Sequence, residues 1–396
     1  MSKSVGIVAE YNPFHTGHRY QIDFLKKKGF ENIIIAMSGS CVQRGEPALL
    51  SKFIRCEMAL KNGADLVAEI PYPFSCRSAE GYAMAGMQTL KSMGVDAVSF
   101  GSESGNTALL EEIADYLLSD EYENAMKEYL AENIPFASAR EKAIFDRFDI
   151  NRDIVSASND ILAVEYIKAC RKLDWKPEFI AVKRVGAGYN TTEVKSGFAS
   201  ASGIRKMLSE YRQESALSFI PEESRELLAR NMDRGSFFMD DDSFEKAVLF
   251  ALQSKTAEDF VRIPDCNTEL ANSFEKAVCI ASDFESLMNN LPTKRYTRAR
   301  LKRIILAAFL NVYQNMPYDI QYIRILGFRT EKESVLKKIS KECSLPVSHS
   351  AKILSEKSEL CRKVVEAESR ACDAQAIFSR ISQQPRADYT SRIIKI

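Results

Sequence analysis

The sequence predicts an α/β protein in which a doubly wound domain with a parallel sheet is followed by a mostly helical region. Short, nearly continuous apolar runs alternate with helix-period segments through the first half of the chain, which is typical of strand-helix-strand units joined by right-handed crossovers. From about Ser202 onward, long charged segments with helical period and few glycines follow, with no convincing strand.

Five apolar runs predict buried parallel strands because they are short and nearly continuous. They cover residues 4–9, 32–37, 65–70, 95–100 and 178–184. Helix-period stretches lie between them, near residues 18–28, 48–62, 78–92 and 159–172. We therefore expect one domain over residues 1–210, which contains the sheet, and a mostly helical domain over residues 211–396.

Composition excludes several classes of protein. A hydrophobic content of 45% over 396 residues supplies a real core, and 54 acidic residues balance 54 basic ones, so any nucleic-acid site has to be a local patch. The nine cysteines are scattered and form no Cys-x-x-Cys pair, which argues against a disulfide framework and a zinc ribbon and favours a cytoplasmic location. No stretch of about 20 apolar residues predicts a membrane span.

The chain has three histidines, and two of them, His15 and His18, lie in the segment of residues 10–20 that follows the first predicted strand. A strand enters this loop and a helix leaves it, so the free N–H groups of the helix start are available to an anion at the carboxyl edge of the sheet. Gly17 permits close approach of a phosphate, and two imidazoles can stabilise charge at the reacting phosphorus. We discount zinc because no third or fourth ligand stands nearby.

This segment, with Asn12-Pro13 before the His-x-Gly-His motif, resembles the signature of the nucleotidylyltransferase superfamily. The turn around Ser202 and Arg205 resembles the superfamily's second phosphate-binding signature, and Asn159 and the segment at Arg184-Val185 match positions placed against the nucleotide. The resemblance implies catalytic roles for His15 and His18. It implies an ATP site formed by Ile7, Val8, Ala9, Glu10, Tyr11, Asn12, Pro13, Phe14, His15, Thr16, Gly17, His18, Arg19, Tyr20, Gly101, Asn159, Arg184, Val185, Ser202 and Arg205.

A narrower resemblance rests on residues 37–48, 65–72, 78–80 and 100–103, which are similar to the bacterial tRNA(Met) cytidine acetate ligases. That family joins ATP and acetate as acetyl-adenylate and passes the acetyl group to N4 of the wobble cytidine of elongator tRNA(Met). The resemblance implies the same substrates here, with Mg²⁺ expected to accompany ATP. Ser40-Cys41 departs from the more polar or aromatic pair expected at that position.

A basic segment at residues 294–303 holds six basic residues and no acidic one. With helical period it places the cations on one face and the apolar residues Leu301, Ile304, Ile305 and Ala308 on another. Such a run is more often a solvated face, but the resemblance favours RNA. The predicted tRNA contacts are Arg295, Arg298, Lys302 and Arg303. Tyr322, Arg324 and Phe328 could extend this surface, although the aromatic residues are more typical of a core.

Three alternatives remain open at this point. Citrate lyase ligases carry a related segment and deliver the acetyl group to a protein-bound thiol, but the basic segment and the loop of residues 43–48 argue against them. A non-catalytic RNA-binding protein would not need the intact phosphate-binding residues. Adenylyl transfer to a small cofactor precursor would require a dinucleotide product. The sequence does not predict an oligomeric state.

Overall fold

This computed structural model describes residues 3–132, 134, 136–148, 150, 157–184, 199–238, 242–293 and 295–396. The strands are β1 (Ser4–Ala9), β2 (Asn32–Ser38), β3 (Cys41–Val42), β4 (Glu46–Pro47), β5 (Leu66–Ile70), β6 (Ala97–Ser102), β7 (Glu178–Lys183), β8 (Ile323–Phe328), β9 (Val347–Ser348) and β10 (Ile394–Lys395). The five predicted strands are confirmed as β1, β2, β5, β6 and β7.

The helices of the first half include all four that the sequence predicts. They are α1 (Thr16–Lys27), α2 (Lys52–Lys61), α3 (Ala79–Ser92), α4 (Thr107–Tyr116), α5 (Asp120–Ala131), α6 (Phe136–Arg147), α7 (Ser158–Lys172) and α8 (Ala201–Ser209). Polar side chains accept hydrogen bonds from free backbone N–H groups at several of these starts, for example Ser51 before α2 and Ser78 before α3.

Helices dominate the rest of the chain, as the sequence predicts. They are α9 (Gln213–Leu217), α10 (Glu222–Asp233), α11 (Asp242–Gln253), α12 (Ala257–Val261), α13 (Thr268–Ile280), α14 (Phe284–Asn290), α15 (Arg298–Phe309), α16 (Glu333–Glu342), α17 (Ala351–Ser355), α18 (Glu359–Ile377) and α19 (Ala387–Thr390). Short 3₁₀ turns occur at Phe74–Cys76 and Thr330–Lys332. No helix in the described part of the chain is long and apolar enough to cross a membrane.

The main sheet has the strand order β10-β8-β5-β2-β1-β6-β7, with β9 beside β8. Strands β5, β2, β1, β6 and β7 are parallel, as predicted. Helices α3 and α7 pack on one face, and α1 and α2 pack on the other. Because the chain continues from β1 to β2 on one side and reaches β6 on the other, the sheet has a topological switch point at the carboxyl ends of β1 and β6.

The expectation of no strand beyond Ser202 is wrong. Strand β8 is fully buried and pairs antiparallel with β5, so the helical region completes the sheet of the first half. Arg324 interrupts the apolar run of β8 and hides it from a pattern search, yet this side chain is buried among ion-pair partners. Tyr322 and Phe328 are also buried, which confirms that these aromatic residues belong to the core.

A buried network of charges joins this strand to the first half of the chain. The ammonium of Lys52 on α2 lies 2.8 Å from Glu368 Oε1 and 2.6 Å from Asp388 Oδ1, and it also contacts Glu69. Arg324 contacts Asp388 and Glu69. Burial opposes the charged form of Lys52, but the three carboxylates outweigh it and raise its pKa. Burial also raises the pKa of Glu69, to about 7.

Removing the buried ammonium of Lys52 should destabilise the protein more than removing the ammonium of a surface lysine. In Lys52→Met, buried carboxylates lose their main partner, and we expect the free energy of unfolding in urea to fall by about 3–5 kcal/mol. The matched control is Lys246→Met, because Lys246 is 79% exposed and contacts Asp242, which is 90% exposed; it should change stability by less than about 0.5 kcal/mol. Equal losses in the two variants would contradict a structural role for the network.

Candidate active site

A cleft opens at the switch point of the sheet, where β1 and β6 end. It is lined by the loop after β1, the start of α1, the loop of residues 42–46, helices α3 and α7, and the start of α8. Its lining residues are Ile7, Val8, Ala9, Glu10, Tyr11, Asn12, His15, His18, Gln21, Val42, Gln43, Arg44, Glu46, Tyr82, Phe100, Gly101, Asn159, Leu162, Tyr166, Arg184, Ser200, Ala201, Ser202 and Arg205. A smaller adjoining pocket adds Gly17, Tyr20, Val182, Lys183 and Ala199.

The two histidines of the His-x-Gly-His motif stack on each other at the start of α1 and accept hydrogen bonds from the backbone there. His15 is the N-cap, and its Nδ1 accepts a hydrogen bond of 3.1 Å from the backbone N–H of Gly17. The Nδ1 of His18 accepts one of 3.2 Å from the backbone N–H of His15, and the two rings stack with their centroids 3.6 Å apart. The backbone therefore fixes the orientation of both imidazoles.

This arrangement also fixes the protonation of the pair. Burial lowers the pKa of His15 to about 3, with the charge of Arg184 adding to the effect. Burial likewise lowers the pKa of His18 well below its usual value, with His15 and Arg184 contributing. A neutral imidazole whose Nδ1 accepts a hydrogen bond carries its proton on Nε2. Each histidine thus presents one N–H donor from a neutral ring.

The start of α8 forms another wall of the cleft, and its groups are of the kind that bind anions. Ser200 is its N-cap and accepts a hydrogen bond of 3.1 Å from the backbone N–H of Gly203, while the hydroxyls of Ser200 and Ser202 lie 3.0 Å apart. Arg205, one turn later, donates to the carbonyl of Asn12 at 2.7 Å and lies 3.4 Å from the carboxylate of Glu46. A capped helix start with an arginine suits a polyphosphate.

The loop of residues 42–46, here called the cleft loop, closes the cleft. Residues that follow β1 hold it in place through hydrogen bonds. The backbone N–H of Gln43 donates to Glu10 at 2.9 Å, and the backbone N–H of Leu49, just after the loop, donates to the side chain of Asn12 at 2.7 Å. Burial raises the pKa of Glu10. Glu46 lies between Arg205 and Lys302, whose ammonium is 3.6 Å from the Glu46 carboxylate. One carboxylate in this loop therefore contacts cations from both halves of the chain.

Comparison with known proteins identifies the family to which this chain belongs. The model of the HIGH nucleotidyl transferase family matches residues 2–389. The tRNA(Met) cytidine acetate ligase of Thermoanaerobacter sp. strain X514 is 34% identical over 402 residues, which cover 99% of each chain. The chain belongs to the tRNA(Met) cytidine acetate ligase family. The enzyme of the same name from Caldanaerobacter subterraneus subsp. tengcongensis is 32% identical, with 100% of each chain covered.

Solved structures of this family agree with the fold. The crystal structure of Thermotoga maritima TmcAL in its apo form I has a TM-score of 0.92 and 30% sequence identity, over 100% of this chain and 99% of that one. Thermotoga maritima TmcAL bound with alpha-thio ATP has a TM-score of 0.90 and 29% identity over the same shares. The whole chain, including the helical region, therefore has the architecture of the family.

Most of the residues predicted for the ATP site line the cleft or its adjoining pocket. Pro13, Phe14, Thr16 and Arg19 do not line either one. Phe14 is completely buried and packs against Tyr11 and His18, which explains its place in the motif as support for the imidazoles. Arg19 turns away from the cleft toward Asp23 and Glu223.

Three further predicted residues, Gly101, Asn159 and Arg184, also line the cleft. The side chain of Asn159 donates a hydrogen bond of 2.5 Å to Glu103. The backbone N–H of Arg184 donates to Ser102, and the Arg184 side chain lies beside Gly101. Val185 lies outside the described residues.

Sequence reasoning missed the cleft residues that come from helix faces. Gln21 on α1 donates to the hydroxyl of Ser99, and Tyr82 on α3 shares a hydrogen bond of 3.1 Å with Ser38. Phe100, Leu162 and Tyr166 complete this wall. They occupy ordinary apolar positions of strands and helices, so only the sheet order could reveal that they face the cleft.

The basic segment differs in part from its prediction. Leu301, Ile304, Ile305 and Ala308 are buried, which confirms the apolar face. The helix, however, begins at Arg298, so Arg295 lies in the turn before it, where it contacts Glu269 at 2.5 Å. The prediction that all four cations lie on one face of a helix is therefore wrong.

Two members of the basic segment point toward the cleft loop. Lys302 contacts Glu46, as described above, and Arg303 donates to the carbonyl of Gln43 at 3.4 Å. Burial lowers the pKa of Arg303. Of the four predicted tRNA contacts, Arg295 and Arg298 lie exposed on the surface. Lys302 and Arg303 connect α15 to the cleft.

Acidification should test whether the histidine pair is held neutral. The unfolded chain takes up protons on both histidines near pH 6.5, whereas the folded pKa of His15 is about 3 and that of His18 is also depressed. The unfolded state therefore binds more protons below pH 6.5. The free energy of unfolding should fall as the pH is lowered from 7 to 5, by up to roughly 2 kcal/mol for each histidine.

The comparison that isolates this effect uses the double variant His15→Asn/His18→Asn. Urea denaturation at pH 7 and pH 5 should show a smaller acid-induced loss for this variant than for the wild type, while His349→Asn, at an exposed position, should behave as the wild type. If acid weakens the wild type and the double variant equally, the pair is not held neutral by the fold.

Proposed function

We propose that this chain is an ATP-dependent ligase that activates acetate as acetyl-adenylate and transfers the acetyl group to N4 of the wobble cytidine of elongator tRNA(Met). The observation that carries the proposal is the neutral, stacked pair His15 and His18 in one cleft with Arg205. The full-length similarity to tRNA(Met) cytidine acetate ligases supports this acceptor over a protein thiol or a small cofactor precursor.

In the first step an oxygen of acetate attacks the α-phosphorus of ATP, and pyrophosphate leaves. The negative charge on the phosphate oxygens grows during this step, and preorganised donors stabilise it. His15 and His18 present Nε2–H donors from neutral rings, so they can bind these oxygens without giving up a proton. Arg205 and the start of α8 are placed to hold the pyrophosphate portion.

In the second step the N4 amine of cytidine attacks the carbonyl carbon of acetyl-adenylate, AMP leaves, and the nitrogen loses a proton. No protein nucleophile is needed, because the mixed anhydride is already activated. The nearby thiols agree with this scheme. Burial raises the pKa of Cys41 well above its usual value and that of Cys76 to about 12, so both stay protonated.

ATP is expected to bring Mg²⁺, which would neutralise part of the phosphate charge. Among the described residues no group of three or more His, Cys, Asp or Glu side chains is arranged to hold a metal ion. Glu10 and Glu46 are carboxylates of the cleft lining. Phosphate oxygens and water would therefore supply most ligands of the ion, as is usual for Mg²⁺ bound with a nucleotide.

The direct test is incubation of the protein with ATP, labelled acetate and unmodified total tRNA, followed by digestion of the RNA. We expect label in N4-acetylcytidine from elongator tRNA(Met), and none when ATP is omitted. Label on apo-citrate lyase with none on RNA would replace the proposal by a thiol ligase. Absence of acetate-dependent pyrophosphate exchange would favour a non-catalytic RNA-binding protein.

The exposed cations of the basic segment should contribute to RNA affinity through phosphate contacts. In Arg295→Ala/Arg298→Ala, we expect the slope of log affinity for tRNA against log salt to become shallower by about 1.4–1.8, because each lost contact contributes about 0.7–0.9. Acetate-dependent pyrophosphate exchange without tRNA should stay near its original rate, since neither side chain lines the cleft.

The control for this variant is Lys337→Ala/Lys338→Ala on α16. These two lysines are 73% and 60% exposed and also have carboxylate neighbours, as Arg295 does. The control should keep the wild-type slope. An unchanged slope and affinity in the arginine variant would remove Arg295 and Arg298 from the tRNA surface.

A further inference from the structure

A second cavity, of about 460 Å³, lies on the other side of the cleft loop from the ATP cleft. This is within the size range of pockets that hold a small organic ligand. The segment of residues 72–81 from the first half forms one wall, and residues 264–265, 303, 307 and 312–318 of the helical region form the other. The cavity therefore exists only where the two halves of the chain meet.

The partition between the cavity and the cleft is thin. Val42 and Gln43 line the cleft, while Cys76 and Arg77 line the cavity. The Cys76 thiol donates to the carbonyl of Val42 at 3.0 Å, and the Gln43 side chain donates to the carbonyl of Arg77 at 3.2 Å. A ligand in the cavity would thus be separated from the cleft by a single layer of residues, which are joined by hydrogen bonds.

An exposed aromatic ring lines the cavity. Tyr318 is 62% exposed, which is unusual for so large a ring. The Arg77 guanidinium lies 5.4 Å from the centre of this ring and donates hydrogen bonds to the carbonyls of Tyr318 and Pro317 at 2.6 and 2.7 Å. The ring is therefore backed by a cation that the backbone holds in place.

Arg303 lines the inner wall of the cavity. The Nε of Arg303 is buried and has no hydrogen-bond partner within the part of the chain that the structure describes. A buried donor without a partner is costly, so a small shift of the Arg303 side chain toward a ligand oxygen in the cavity would gain a charge-assisted hydrogen bond. Glu80 and Asp265 also line the cavity, which disfavours a triphosphate there.

We propose that this cavity receives an unpaired nucleotide of the tRNA anticodon loop, next to the cytidine that is acetylated. Unpaired RNA bases are recognised by stacking on exposed aromatic rings and by arginine donors, and Tyr318 and Arg303 supply both. The exposed Arg298 precedes Arg303 on the same helix and suits the RNA backbone. The thin partition fits a neighbouring nucleotide, with the reacting base in the cleft. This inference rests on the proposed function.

The test compares Tyr318→Ala with Tyr318→Phe in the full-length protein, using an anticodon stem-loop RNA as the probe. Loss of a base–aromatic stack should weaken RNA binding about 5- to 150-fold in Tyr318→Ala. Tyr318→Phe keeps the ring and should bind as the wild type does. Tyr211→Ala is the matched control, because Tyr211 is 78% exposed, lies near an arginine as Tyr318 does, and does not line the cavity.

A second arm identifies the bound nucleotide with stem-loop RNAs that lack the base on the 5′ or the 3′ side of the wobble cytidine. One of these RNAs should bind wild type and Tyr318→Ala with equal affinity, because the stacking partner is already absent. If Tyr318→Ala binds intact RNA as tightly as the wild type, or if its defect is the same on both abasic RNAs, the inference is wrong. Failure of the proposed function would look different, since wild-type protein would then form no N4-acetylcytidine on intact RNA.

Discussion

The buried ammonium of Lys52 is the constraint on which the arrangement of the molecule depends. An ammonium removed from water needs carboxylates close by, and this chain supplies one from β5 and two from the distant α18 and α19. Glu368 also accepts hydrogen bonds from the backbone N–H groups of Ser40 and Tyr72. The same carboxylate thus fixes the turn that leads into the cleft loop and the segment that lines the second cavity.

Because of this network, the helical region completes the catalytic domain as well as following it. The cleft loop packs so closely on α15 that a Cβ at Gly45, which has a φ of +84°, would lie 2.5 Å from the backbone nitrogen of Arg303. Glu46 then contacts Arg205, a predicted ATP residue, and Lys302, a predicted tRNA residue. The sites proposed for the two substrates therefore share one loop. If one ligand attracts Arg205 or Lys302, the electrostatic potential at the other site changes, because Glu46 contacts both cations.

The sequence predicted the structural features that depend on local pattern. The five parallel strands have short apolar runs, and the histidine motif lies between a strand and a helix, so both could be read directly. Strand β8 was missed because Arg324, a charged residue in its centre, has partners that only the tertiary structure brings together. The cleft residues Tyr82 and Tyr166 were missed for a related reason, because their role follows from sheet order. Arg303 was assigned to RNA by its charge, but the sequence could not show that its side chain turns inward, toward the loop of residues 42–46 and the second cavity.

In the proposed reaction, acetate attacks the α-phosphorus of ATP in the cleft that contains His15 and His18. Acetate labelled with ¹⁸O in both oxygens tests this most directly, because the attacking oxygen stays on phosphorus when the acetyl group leaves. With ATP and tRNA present, mass spectrometry should find one ¹⁸O atom in AMP for each acetyl group transferred, and His18→Ala should form far less labelled AMP, by about 10²–10³ in rate. Unlabelled AMP, or label in inorganic phosphate, would contradict the account.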